Sequence, residues 1–422
     1  MVKSNLVIEL NKIWRVLKIH KRVGKFFKNK KNMKTLLFGA GASVPFFCPQ
    51  LSTNYLTEQI SKSCNWEKIV TRYNAKKKAD DKQNDSPDSN GLLLDSAEIV
   101  ALIGNIGKQN PNYNFENIAE IIDELSYYGF NDKLTDDEKQ NCGNLSSKYN
   151  VKPVFAWKIY PLLFRLIIAE SILELQEEKH QVDSYDELIE LQKNFIDSFI
   201  GKDKGTIFST NYDDLLLNSV KDLNFELGFG TDSTDDFKRD FLKPCTLLNA
   251  QRAICFPHSH LRLVFIGKED GMAHYISDSK QANDYIWANL FSTDLKQILP
   301  VTLGTKRFNF NTSSVGTGAT KTDMFNFSPY FDYNEKMESD IKQCSDLIII
   351  GYSFNDEHIN KILKTCPAKK ITVVDYKQGE DIGKFKDNIA TKCDNISSLA
   401  TFYLEGYDKY LKENIYSKRT TF

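Results

Sequence analysis

The 422-residue chain predicts an α/β fold: a Rossmann-like, mostly parallel sheet with helices on both faces, carrying an inserted helical subdomain. Three observations predict it. Short apolar runs end abruptly in glycine-rich or polar turns and lead into helical patterns, as strands buried on both faces do in parallel sheets. The residues able to bind or react gather in those turns, at the strand ends where open α/β sheets hold ligands. Far more chain lies between the first two units than a sheet crossover needs, so an insert is expected there.

The first strand is Leu36-Leu37-Phe38, running into Gly39-Ala40-Gly41-Ala42-Ser43. Glycines in such a turn let the backbone approach a phosphate, and a following helix would offer free N–H groups and its positive dipole end. The third glycine of the dinucleotide fingerprint is missing, with Ser43 and Val44 in its region. A plain turn is the alternative.

Thr206-Ile207-Phe208 reads as a second core strand, delivering Ser209-Thr210-Asn211-Tyr212-Asp213 at its carboxyl end. A helix is expected over 214–223, with Leu215, Leu216, Leu217 and Val220 to pack. Asn211 and Asp213 either face a ligand or cap that helix. Ala253-Ile254-Cys255-Phe256 reads as a third strand, ending in Pro257-His258-Ser259-His260. Two of the chain's six histidines stand in this turn, and a neutral imidazole is the usual general base near pH 7. A structural role or a weak metal pair are the alternatives; no carboxylate or cysteine stands at ligand spacing nearby, so no metal site is expected. The fourth strand, Leu347 to Ile350, ends in Gly351-Tyr352-Ser353, and Asn355 or Asp356 can cap the next helix, through about Lys364. A fifth, Ile371 to Val374, ends at Asp375, an acid placed to hold ribose hydroxyls or merely to start a loop.

Taken in order, Gly39-x-Gly41-x-Ser43, Thr210-Asn211-Tyr212-Asp213, His258 with Leu261 and Leu263, and Gly351 through Asn360 resemble the motifs of the sirtuin-like superfamily, in its bacterial NAD-consuming branch. The resemblance spans roughly residues 34–376 and departs at Ser259, where the family usually has glycine. The eight cysteines, at 48, 64, 142, 245, 255, 344, 366 and 393, include no C-x-x-C pair. The four-sulfur zinc site of sirtuin deacylases cannot be built from them, and Pro45-Phe46-Phe47-Cys48-Pro49 replaces the deacylase element after the glycines. Lysine deacylation is therefore set aside.

The resemblance implies NAD+ glycohydrolysis, with NAD+ as substrate and no metal. Asn211 would orient the ribose hydroxyls and the attacking water, and His258 would take the proton. Asp213 would orient Asn211 or the ribose, or cap its helix. Gly39, Ala40 and Ser43 would meet the pyrophosphate, Ser353 and Asp375 would lie near the adenosine half, and Gly41, Thr210, Asp213 and Gly351 would also bind the nucleotide. It further implies a homo-oligomer acting as the NAD-depleting effector of a bacterial antiphage system, with a HerA-type ATPase as partner. A non-catalytic subunit that senses NAD or ADP-ribose is the alternative.

Composition fits a cytoplasmic protein. Fifty-five lysines and arginines against 56 acids leave a net charge of −1, which points to no polyanionic partner and makes direct nucleic-acid binding an unneeded reading. The absence of any run of eighteen apolar residues argues against a membrane span, and the singly placed cysteines suit reduced thiols.

Three regions follow: a basic extension over 1–32, a nucleotide-binding domain over 33–376 with its helical insert at about 95–200, and a carboxyl-terminal extension over 377–422. The extension holds ten basic residues against Glu9 alone, with Leu6, Leu10, Ile13 and Leu17 at helical spacing; it would dock a partner, meet a polyanion, or belong to an overextended reading frame. Residues 74–90 are nearly all polar and read as a loop. Helices are expected from Asn114-Phe115-Glu116, with Ile118, Ile121, Ile122 and Leu125 on one face, over 154–179 with Pro161 bending or restarting it, and over 185–200. Glu116 is read as a first-turn helix acid that could also reach the site. Further on, a helix is expected over 282–299, a strand over 300–303 and a loop over 308–322, with Lys306 and Lys321 available to phosphate. Residues 399–404 suggest an edge strand, and 406–422 a surface helix or docking arm.

Overall fold

The computed structural model describes residues 33–47, 51–83, 93–130, 135–150, 160–178, 184–201, 204–230, 241–265, 273–288, 300–303, 306–309, 328–379 and 381–419. The basic extension, Lys321 and most of 308–322 lie outside them.

Six strands form one parallel sheet: β1 (Met33–Phe38), β2 (Gly205–Ser209), β5 (Arg252–Cys255), β10 (Cys344–Ile350), β11 (Lys370–Val374) and β12 (Ala400–Tyr403). Their spatial order is β12-β11-β10-β1-β2-β5. The chain therefore starts in the middle, builds to one side through β2 and β5, returns to β10 and builds to the other. That is the doubly wound arrangement, with its switch point between β1 and β10. The expected edge strand is β12.

Both faces of the sheet are covered. Side chains alternate along a strand, so Leu36 and Phe38 face one way while Thr35, Leu37 and their β2 neighbours Thr206 and Phe208 face the other. On the first face Phe38 meets Tyr407 edge-on, and Tyr407 in turn packs on Phe46 and Phe195. On the second, the Thr206 hydroxyl donates to Asp340, which also holds the buried Lys336 ammonium at 2.8 Å. The carboxyl-terminal helix Tyr407–Arg419 is thus a docking arm: Tyr407, Tyr410 and Leu411 are buried.

Among the described residues, eight α-helices lie between β1 and β2: α1 (Val44–Phe47), α2 (Thr53–Ser61), α3 (Ser63–Gln83), α4 (Ser96–Gln109), α5 (Phe115–Phe130), α6 (Asp136–Tyr149), α7 (Tyr160–Glu177) and α8 (Tyr185–Ile200). Leu162 through Ala169 are all buried, with Arg165 paired to Asp123, so α7 is covered around its circumference there and forms the hub of the bundle. Pro161 is the second residue of α7, a position with no helical N–H partner to lose, while residues 154–159 of the helix expected over 154–179 lie outside the described residues. The polar stretch expected to be a loop is helical as far as residue 83. Buried Trp66, Ile69, Val70 and Tyr73 anchor α3 upstream, and the alanines, lysines and glutamines that follow carry the helix on by propensity. Residues 84–90 lie outside the described set.

After β2 the helix α9 (Leu215–Val220) is shorter than expected. A four-stranded antiparallel sheet follows, in the order β3-β4-β7-β6, from β3 (Phe229–Gly230), β4 (Phe241–Pro244), β6 (Leu263–Phe265) and β7 (Ala273–Ile276). Helix α10 (Ser279–Ala288) starts earlier than the periodicity suggests. The expected strand at 300–303 is β8 (Pro300–Leu303), paired with β9 (Lys306–Asn309), so the expected loop begins inside a strand. Helix α11 (Tyr330–Ile341) leads into β10, α12 (Glu357–Leu363) follows it, and α13 (Asp381–Lys392) and α14 (Asp394–Leu399) lie between β11 and β12. No helix among the described residues is long and apolar enough to cross a membrane.

Candidate active site

At the switch point two turns meet backbone to backbone. The Gly41 N–H donates to the Gly351 carbonyl and the Gly39 N–H to that of Ile350, both at 2.9 Å. A Cβ on Gly39 would stand 2.6 Å from the Gly351 oxygen, and one on Gly351, at φ +60°, would stand 2.1 Å from the Ala42 nitrogen. Only glycine permits that approach. The Ala42 and Ser43 amides close a tight turn onto Gly39 and Ala40, and α1 behind it has four residues. The glycines thus join two strand ends, a packing role distinct from the phosphate role read for them.

Above this junction lies a cavity of about 720 Å³. Ala40, Gly41, Thr210, Asn211, Asp213, His258, Gly351, Ser353 and Asp375 all line it, and from the helical bundle so do Asn114, Glu116 and Asn117. Gly39 and Ser43 sit beneath its wall. A second cavity of about 530 Å³ shares Gly41, Gly351, Asp375 and Lys377 with the first and continues past the end of β11. The two form one cleft along the carboxyl edge of the sheet.

The Asn211 carboxamide is held from below. Its Nδ2 donates to the Ser43 hydroxyl, which donates to Asp213 Oδ2, each at 2.8 Å. Asp213 Oδ1 accepts the Leu215 N–H at 2.9 Å, so Asp213 does cap α9 while anchoring this chain of bonds. With Nδ2 committed, the Asn211 Oδ1 is the group left over, and it has no partner among the described residues. Burial pushes the Asp213 carboxyl up to about 6, against the Ser43 and Leu215 donors, which favour its ionised form. Thr210 is tied to the Phe38 carbonyl through its amide and hydroxyl.

The two histidines of the third motif part company. His260 is fully buried: its Nε2 donates to the Asp213 carbonyl at 2.8 Å and its Nδ1 accepts the Arg262 N–H at 3.1 Å. Burial pushes its pKa down to about 4, leaving it neutral. It therefore braces the Asn211 turn and is no partner to His258 for a metal. Asp214 lies nearby; burial would raise its carboxyl, but His260, Arg262 and Ser279 hold it below the usual range.

His258, 2% exposed, faces the fourth motif instead. Its Nε2 stands 3.2 Å from His358 Nε2 and 3.5 Å from Asp356 Oδ1. Ser259 between the two histidines has φ +87° and is buried with its hydroxyl 3.1 Å from that of Tyr330. The serine thus adopts the backbone a glycine would take, held by a hydrogen bond a glycine could not make.

The fourth motif is a self-braced turn. Phe354 is buried at φ +59°, and the Asn360 carboxamide donates to its carbonyl at 2.8 Å. Asp356 holds the N-cap position of α12 by backbone but makes no side-chain cap; Asn355 accepts from Lys392. The expected cap is therefore Asp356, which closes the first turn through its backbone carbonyl and not its side chain. Asp375 accepts from Lys377 at 3.1 Å and from the Tyr376 N–H; burial raises its carboxyl despite Lys377.

Asp356 and His358 are the site residues that sequence reasoning missed. Their signal was an acid and a histidine two residues apart at a helix start, within a motif already singled out. Nothing in the spacing says that residue 258 would meet them.

A scan against protein-family models finds no match to this chain, and a search of curated proteins finds none.

Proposed function

We propose that this protein is an NAD+ glycohydrolase that cleaves the nicotinamide–ribose bond to release nicotinamide and ADP-ribose. The observation that carries the reading is Asn211: its amide is clamped through Ser43 to Asp213, its Oδ1 lacks a partner among the described residues, and it shares one cavity at the sheet's switch point with His258. A cleft of this size suits a dinucleotide.

The chemistry asks little more of the protein. Nicotinamide leaves a cationic pyridinium as a neutral group, taking the C–N electron pair and leaving an oxocarbenium-like ribose, as in glycoside hydrolysis. Asn211 Oδ1 accepts a ribose hydroxyl or the attacking water and so fixes its approach. Water oxygen bonds to the anomeric carbon and its proton passes to His258, whose Nε2 stands 3.5 Å from Asp356 Oδ1. Ser353, Asp375 and Lys377 border the part of the cleft read for the adenosine half.

With the motif resemblance, this reading makes the chain a sirtuin-like, oligomeric, NAD-depleting effector of bacterial antiphage defence, cytoplasmic and partnered by a HerA-type ATPase. The test is nicotinamide release from NAD+, followed by chromatography, for the wild type alone and with candidate partners. Turnover lost in both Asn211→Ala and His258→Ala supports the reading. Absence of turnover under every condition, with tight ADP-ribose binding by calorimetry, would replace it with the sensing subunit.

A further inference from the structure

His258 reaches the site from the turn after β5, and Asp356 and His358 from the first residues of α12, a hundred positions later in the chain. The geometry points to this trio as a binding site for one divalent transition-metal ion of the zinc class.

Each residue presents one ligand atom, and all three atoms lie within 4.8 Å of one another. Two of the separations are 3.2 Å, between the two Nε2 atoms, and 3.5 Å, from His258 Nε2 to Asp356 Oδ1. Around an ion ~2.0–2.1 Å from each ligand, a tetrahedral shell sets neighbouring ligand atoms ~3.3 Å apart. Two imidazoles and a carboxylate are also the donor set that zinc and its neighbours prefer, and His258 and Asp356 line the cavity, where a water would complete the shell. A proton shared between the imidazoles would account for the 3.2 Å separation by itself. It would not account for Asp356, which occupies an N-cap position where an aspartate ordinarily bonds back to its own helix, yet makes no such bond and faces His258 instead. Tyr352 and Asn360 brace the turn that carries it, the Asn360 carboxamide bonding Phe354 and the Tyr352 hydroxyl reaching the Asp356 carbonyl at 3.4 Å.

A bound ion would take the nitrogen lone pair that a base needs. This consequence alone rests on the glycohydrolase reading: metal loading and proton acceptance by His258 exclude each other.

The experiment is a titration of the metal-stripped full chain with Zn2+ by calorimetry, repeated with Co2+, whose visible absorption reports tetrahedral coordination. Exposed Cys64 and Cys245 are replaced by serine in every protein so that thiols do not compete. One equivalent is expected to bind, with the tetrahedral cobalt spectrum. His358→Gln and Asp356→Asn should each weaken binding by more than the ~10–100-fold that loss of an outer-sphere partner causes, with unchanged far-UV circular dichroism. Absence of saturable binding by the folded chain, or binding indifferent to both substitutions, would overturn the site. No nucleotide enters this titration, so it stands or falls apart from the glycohydrolase. If Zn2+ binds at the trio and nicotinamide release is unaffected, the base role of His258 fails and the metal site stands.

Discussion

Two polar clusters flank the cleft, and they are built on opposite plans. Around Asn211 every group but one is matched: Nδ2 to Ser43, Ser43 to Asp213, Asp213 to the Leu215 amide, with His260 bracing the same turn from behind. Around His258 two imidazole nitrogens and a carboxylate oxygen stand within 4.8 Å of one another, the two Nε2 atoms at hydrogen-bonding distance. The first arrangement fixes one orientation of an amide and leaves a single acceptor over. The second gathers three side chains that can each bind a proton or a cation. A matched network sets geometry; a lone-pair-rich one takes up charge.

The strongest way to test that division is through turnover. Asn211→Ala should lower nicotinamide release ~10³-fold, about 4 kcal/mol of barrier, while ADP-ribose affinity measured by calorimetry changes little. A variant that bound ADP-ribose poorly but turned over at a normal rate would make Asn211 a binding residue only.

Gly351→Ala should break both clusters together. Its Cβ would collide with Ala42 at φ +60°, and the left-handed backbone adds its own cost, giving a loss of about 3 kcal/mol or more in denaturant unfolding. Retention of wild-type stability would mean that the two turns do not need their close contact.

Stability against pH sharpens the comparison within the matched cluster. The Asp213 carboxyl is raised from 3.8 to about 6 in the folded protein, so its stabilising contribution is full below pH ~4 and is lost as pH rises through ~6. His260 is lowered from 6.5 to about 4, so its contribution is full above pH ~6.5 and is lost as pH falls through ~4. At ~1.36 kcal/mol per pKa unit each amounts to roughly 3 kcal/mol, with opposite sign over the same window. The two offset one another in the wild type. Asp213→Asn removes one of them, so its stability relative to wild type should climb by roughly 3 kcal/mol from pH 4 to pH 6 in thermal or denaturant melts. Parallel profiles for the two proteins would show that Asp213 titrates like an exposed acid.

The smallest expected effect is that of Ser43→Ala, which removes a donor from Asp213 and an acceptor from Asn211. It should cost about 1–3 kcal/mol of stability and lower turnover only partly, because Asn211 remains but its amide can turn. Loss of turnover as complete as in Asn211→Ala would give Ser43 a direct part in the reaction.

Much of this site was legible in advance, for reasons particular to each residue. Asn211, His258 and Gly351 stand one to three positions after apolar runs, and such runs become buried parallel strands whose ends face a cleft. Asp213 was readable both as a cap and as a support for Asn211, and it is both. Less legible were the residues whose role depends on a neighbour distant in the chain. Ser43 reads as a phosphate contact until Asp213, 170 positions away, is seen to hold its hydroxyl. His260 is as good a base as His258 on paper, and only the surrounding Asp213 carbonyl and Arg262 amide make it a brace. Residues 74–83 read as a loop from polarity alone, because a helix anchored at one end needs no apolar stripe at the other.

By itself, the order of apolar runs and turns determined the α/β class, the parallel sheet and which turns border the cleft, because burial on both faces imposes a local pattern on each strand. Which side chains meet across those turns was decided only by the tertiary structure. The chain crosses from β5 to β10 over nearly ninety residues before Asp356 and His358 arrive beside His258, and no local pattern records a contact made by sheet order.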